Sequence, residues 1–101
     1  MKAWLLLLLC APALAQDPNP VGRSLAATCA NCHGTEGRPR GSTMVPLAGM
    51  KAETLLQVLS DFRRGARPGT VMPQIVKGYT EEQLRLVAAH FSALPPVQAR
   101  P

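Results

Sequence analysis

Apolar positions along the chain fall into three helical registers separated by Gly- and Pro-rich stretches. From Val21 to His33, the residues Val21, Leu25, Cys29 and Cys32 recur at three- and four-residue spacings and predict a helix. From Lys51 to Arg64, Ala52, Leu55, Leu56, Leu59 and Phe62 share one face. Glu53, Gln57, Asp61 and Arg64 occupy the other, and Gly65 supplies a stop. A third helix is predicted from Thr80 to Leu94. It opens on the capping-box pattern Thr80-Glu81-Glu82-Gln83, buries Leu84, Val87, Ala88, Phe91 and Leu94, and ends at Pro95-Pro96. Asp17 to Pro20 reads as a leader into the first helix. Gly34 to Gly49 has no sustained period and forms a loop long enough to wrap something. Ala66 to Pro73 is a second loop, followed by a short helical turn over Gln74 to Lys77. No repeat and no useful run of alternating residues is present, so the expected class is all-α.

The first residues stand apart from that pattern. A positive start at Met1-Lys2, an apolar run from Trp4 to Ala11 and the small residues of Ala13-Leu14-Ala15 predict a signal peptide over residues 1–15. The run is too short to span a bilayer, so removal is favoured over anchoring, with no stable membrane insertion afterwards. A lipoprotein signal at Cys10 is the alternative, weakened by the bulky Leu9 before it. Cleavage after Ala15 leaves residues 16–101 as one small domain, exported to a bacterial periplasm.

That cut changes what the composition means. Of three cysteines only Cys29 and Cys32 remain, too close together to staple a fold by a disulfide. Of four aromatics only Phe62, Tyr79 and Phe91 remain. A domain of this size has a marginal core, which a bound apolar group would complete. The net charge of +5 becomes +4 without Lys2. No aromatic or Gly-rich interleaving accompanies the arginines, so nucleic acid is not the expected partner and an acidic protein is preferred. Arg63, Arg64, Arg67 and Lys77 read equally well as a steering patch and as a solvated face.

The two thiols lie in Cys29-Ala30-Asn31-Cys32-His33, a Cys-x-x-Cys-His haem-attachment sequence. On one helical turn, residues three apart share a face, so two thiols can each add to one vinyl group of a single porphyrin. His33, the next residue, is then placed to ligate the iron as proximal ligand. A zinc site would need four ligands, and only His90 remains as another nitrogen donor. A thioredoxin-like pair would need a βαβ context, and none is predicted. One covalent haem c is therefore expected.

The sixth iron position separates an electron carrier from an open, reactive haem. Met44, Met50, Met72 and His90 are the candidates. Methionine is commonly core filler, the reading preferred for Met44 and Met50. His90, beside Phe91 on the last helix, reads as an exposed or satisfied histidine. Met72 is preferred, since Arg67-Pro68-Gly69-Thr70-Val71-Met72-Pro73 is a proline-stiffened loop between helices that can present a sulfur to the haem. His/Met ligation raises the reduction potential and suits reversible electron transfer.

Residues 16–101 resemble a class I cytochrome c. The resemblance implies that an N-terminal helix bearing the haem sequence crosses a C-terminal helix, at positions matching Gly22 and Phe91, with loops wrapping one haem. Val45-Pro46-Leu47-Ala48-Gly49 resembles the family's proline segment, which implies that the Pro46 carbonyl orients His33. Arg67-Pro68-Gly69-Thr70-Val71-Met72 followed by Ile75-Val76-Lys77-Gly78-Tyr79-Thr80 resembles the monohaem cytochrome subunit of flavocytochrome c sulfide dehydrogenase, with Val76 replacing an alanine. That narrower resemblance implies a flavoprotein partner and an electron-accepting role in sulfide oxidation. The alternatives are a free carrier of another respiratory or sulfur-oxidising chain, and an open-site haem peroxidase or gas-binding protein. No nucleophile–base pair, carboxylate dyad or phosphate loop is evident, so the chain by itself is expected to transfer electrons and not to be an enzyme.

Overall fold

The computed structural model describes residue 12 and residues 15–98; the expected signal peptide, with Cys10, therefore lies almost wholly outside the described residues. Among the described residues all regular structure is helical, and no helix is long and apolar enough to cross a membrane. Helix α1 spans Pro20–Ala26 and runs through a 3₁₀ turn, Ala27–Cys29, into α2, Ala30–His33. The long middle helix α3 covers Ala52–Arg64, the short α4 covers Met72–Val76, and α5 covers Glu81–Ser92.

Local chemistry sets these boundaries. Pro20 takes the first position of α1, where its missing N–H costs nothing. Asn19 caps that helix by accepting from the Gly22 amide at 3.0 Å. Helix α2 stops after His33 because Gly34 turns the backbone to φ +80°, a conformation open to glycine and costly for other residues. Gly65, at φ +77°, ends α3 in the same way. The capping box expected at Thr80 is present: its hydroxyl accepts from the Gln83 amide and the Gln83 side chain accepts from the Thr80 amide. Helix α4 starts two residues before the expected turn, with Met72 as its first residue. Pro73 at the helix start favours that register.

Helix α5 is the hub of the packing. Its face of Leu84, Val87, Ala88 and Phe91 is buried as expected, against α1 on one side and α3 on the other. Each large side chain so buried contributes about 1.5–3 kcal/mol. The crossing with α1 is close at Gly22: a Cβ there would collide with the Leu86 carbonyl oxygen and with the Asn19 side chain. Asn19 also donates from Nδ2 to that same Leu86 carbonyl at 2.8 Å, so one side chain caps α1 and pins it to α5. The resemblance had paired Gly22 with Phe91. In the structure the α5 atom nearest the Gly22 position is the Leu86 carbonyl oxygen, and Phe91 on the same helix lies close to Gly37 in the first loop.

Two ties missed in the sequence close the domain around α3 and α5. Ser60, buried on α3, donates to Glu81 Oε1 at 2.9 Å. Tyr79 donates its hydroxyl to the Leu25 carbonyl at 3.1 Å, while the Tyr79 carbonyl accepts from Arg63 Nε at 2.9 Å. The Lys77-Gly78-Tyr79 stretch thus links α1, α3 and the segment after α4.

Candidate haem-attachment site

The helix that carries the cysteines presents them differently. Cys29 is half-buried against the core and Cys32 is exposed, and the two are not joined by a disulfide. Burial pushes the Cys29 thiol above its ordinary pKa, opposed in part by a backbone hydrogen bond. At half burial His33 follows directly, and its Nδ1 lies 2.8 Å from the Val45 carbonyl oxygen. That contact places a proton on Nδ1, because a carbonyl only accepts, and leaves Nε2 with a lone pair for a metal.

The acceptor is one residue upstream of the one implied by resemblance. Pro46 does not offer its own carbonyl here. The carbonyl at His33 belongs to the amide that joins Val45 to Pro46. The proline ring still bears on it, since it restricts the Val45 backbone and so the direction of that carbonyl. The loop is anchored further along by Leu47 N–H to Gly37 O at 2.9 Å and by Gly49 N–H to Phe91 O at 2.9 Å.

The four candidates for the second axial position separate by environment. Met44 is 38 % exposed on the loop. Met50 is half-buried and lines an open cleft of about 380 Å³ with Pro46 and Pro96. His90 is buried with Nε2 3.4 Å from Glu36 Oε2, a satisfied histidine as expected. Met72 is half-buried against the core at the head of α4. The loop before it is held by Phe62: Gly69 lies close against that ring, and the Arg67 guanidinium sits 5.7 Å from its centroid. Loop composition gave no sign of this clamp.

What these residues can hold follows from their chemistry. Among the described residues no three His, Cys, Asp or Glu side chains come together as a metal site, so a protein-only zinc centre is excluded there. Instead, half-buried apolar groups from the 3₁₀ turn, α3, α4 and two connecting segments border the core without being closed over: Cys29, Met50, Leu56, Phe62, Met72 and Tyr79. A flat apolar group with two thiol-reactive positions fits that border, and a porphyrin is such a group.

The basic residues lie close by. Arg63, Arg64, Arg67 and Lys77 are exposed, as is Val71 beside Met72. Arg64 is offset by Asp61 at 2.6 Å; hydrogen bonds from Arg64 and Gln57 hold the Asp61 carboxyl below the usual range. Arg63, Arg67 and Lys77 form no ion pair among the described residues and supply the remaining positive charge of this face.

No family model matches the chain. Known proteins do. The cytochrome subunit of sulfide dehydrogenase from Chlorobaculum tepidum is 38% identical over 84 residues, which cover 82% of this chain and 74% of that protein. A thiosulfate dehydrogenase electron acceptor from Stutzerimonas stutzeri is 37% identical over 71 residues, 69% of this chain and 33% of that protein. Cytochrome c4 of Azotobacter vinelandii is 28% identical over 84 residues, 74% and 40% respectively. The chain thus spans well under half the length of the last two.

Proposed function

The chain belongs to the class I c-type cytochromes, electron carriers with covalent haem c rather than enzymes, and on that premise we propose that it is exported and carries single electrons through a haem ligated by His33 and Met72. Residues 1–15 are the signal peptide and 16–101 the mature periplasmic protein in this reading. Cys29 and Cys32 hold the porphyrin through two thioethers. The single observation that carries the proposal is His33 itself: the residue after the cysteine turn has Nδ1 committed to the Val45 carbonyl and Nε2 left for iron.

Haem c supplies a one-electron centre cycling between ferric and ferrous iron. The chain's residues do the rest. The Val45–Pro46 amide fixes the His33 tautomer, and the clamp on Phe62 stiffens the segment that offers the Met72 sulfur. Burial by Leu56, Phe62 and Tyr79 limits water at the site, and Arg67 and Lys77 steer an acidic partner toward it. Similarity to a sulfide dehydrogenase subunit along most of both chains supports a flavoprotein as the electron donor. The similarity to a thiosulfate dehydrogenase electron acceptor supports a second reading, a separate carrier in another sulfur-oxidising chain. Isolation of the native protein together with a flavin-containing subunit favours the first; isolation as a lone carrier favours the second.

Replacing Met72 by Ala tests the ligation. The variant is expected to become high-spin in its ferric spectrum with a lowered potential. An unchanged low-spin spectrum would remove Met72 and return Met50 to consideration.

A further inference from the structure

Two adjacent residues of α3, Phe62 and Arg63, hold the two ends of the segment that offers Met72. The entry is fastened as soon as the chain leaves α3. The amides of Ala66 and Arg67 both donate to the Asp61 carbonyl, at 2.8 and 3.3 Å, and Gly69 then lies against the Phe62 ring. At the exit, the chain leaves α4 through a turn in which the Gly78 and Tyr79 amides donate to the Ile75 and Val76 carbonyls, at 3.2 and 3.1 Å. The Tyr79 carbonyl then accepts from Arg63 Nε at 2.9 Å. That bond joins residues 16 apart in the chain and closes the loop from Arg64 to Gly78 at its base. A loop closed at its base opens as a unit, at a free energy set by the contacts that fasten it.

Arg63 is exposed and forms no ion pair among the described residues, so a partner charge does not account for its placement. What it contributes is Nε, the nitrogen nearest its own backbone. The other tie of Tyr79 runs to α1, through its hydroxyl and the Leu25 carbonyl at 3.1 Å. Among the described residues no other side-chain hydrogen bond joins α3 to residues 72–79. Val76 is fully buried and keeps α4 on the core whether or not the Arg63 bond is made. The bond therefore governs the loop and not the fold.

We propose that Arg63 is a positioning residue for the sixth iron position: its bond to Tyr79 closes the base of the Met72 loop and slows the opening that lets another ligand replace the sulfur. The inference rests on the proposed ligation by Met72. Arg63 acts through the Tyr79 carbonyl and the loop, and this role uses its N–H and not its charge. That separates it from the steering of an acidic partner, which uses charge alone.

The test is imidazole binding to the ferric, haem-loaded protein, followed as loss of the weak far-red band of sulfur-ligated iron. At saturating imidazole the rate is limited by loop opening. Arg63→Leu removes the donor while keeping helix propensity, and its limiting rate should rise roughly threefold to tenfold, the range for one exposed hydrogen bond. Arg63→Gln carries an N–H the same number of bonds from the backbone as Nε, without the charge, and should stay within roughly twofold of wild type. A merely structural loss would lower the melting temperature without this split between the two variants. Arg63→Ala also lacks a donor, should match Arg63→Leu, and takes its place should Arg63→Leu not fold. A donor-free variant that binds at the wild-type rate, or Arg63→Gln as fast as Arg63→Leu, overturns the role of Arg63. A far-red band missing from the wild type overturns the Met72 ligation and the proposal with it, so the two failures are distinguishable.

Discussion

Gly22→Ala is the smallest change that tests how α1 is held to α5. The new methyl would overlap the Leu86 carbonyl oxygen, which is backbone and cannot rotate away, and the Asn19 amide, which can move only by abandoning its hydrogen bonds. Losing the cap on Gly22 costs about 1 kcal/mol, losing the bond to Leu86 about 1 kcal/mol more, and overpacking at the crossing about 1–3 kcal/mol. Against this stands the better helix propensity of Ala, about 1 kcal/mol. The balance is a loss of about 2–4 kcal/mol, a large part of a small domain's stability. Each kcal/mol is worth about 4–8 °C in a domain this size, so the melting temperature of the haem-loaded protein should fall by about 10–25 °C. In an Asn19→Ala background the same substitution should cost less, since part of its penalty has already been taken. A melting temperature within about 3 °C of wild type would refute the close crossing.

Other expectations address separate ties. Tyr79→Phe removes the hydroxyl bonded to the Leu25 carbonyl and should cost about 1 kcal/mol in urea unfolding without altering the visible spectrum; an unchanged midpoint would deny that bond a role. The depressed pKa of Asp61 means its stabilising contribution is present above the unfolded carboxylate range and is lost as pH falls through the folded value. Asp61→Asn should therefore melt below wild type at neutral pH, and the gap should close as pH falls through the folded value; a gap independent of pH would contradict this. Electron-transfer rates with an acidic partner should fall as salt is added, and Arg67→Glu should flatten that dependence; rates indifferent to salt would assign the basic face to solvation alone.

The helices were legible because their evidence is local. Periodicity located the α3 and α5 faces, Thr80 and Gln83 announced the capping box, and Gly65 announced a stop. The attachment turn was legible for the same reason, being five consecutive residues. What escaped depends on contacts between distant segments. Periodicity places Ser60 off the apolar stripe, and only the approach of α5 supplies Glu81 as its partner. The shift from Pro46 to Val45 at His33 is a matter of one peptide plane, below what residue spacing resolves. His90 carried no sequence signal for Glu36, 54 positions away, because their meeting depends on how the first loop folds back onto α5.

Carbon monoxide added to the reduced, haem-loaded protein tests the central claim most directly, since a carrier ligated on both faces has no position free. The visible spectrum of the wild type is expected to stay that of a six-coordinate low-spin haem, unchanged by the gas, while Met72→Ala shifts at once. A wild-type spectrum that shifts promptly on adding carbon monoxide would contradict a closed electron carrier and establish an open haem site in its place.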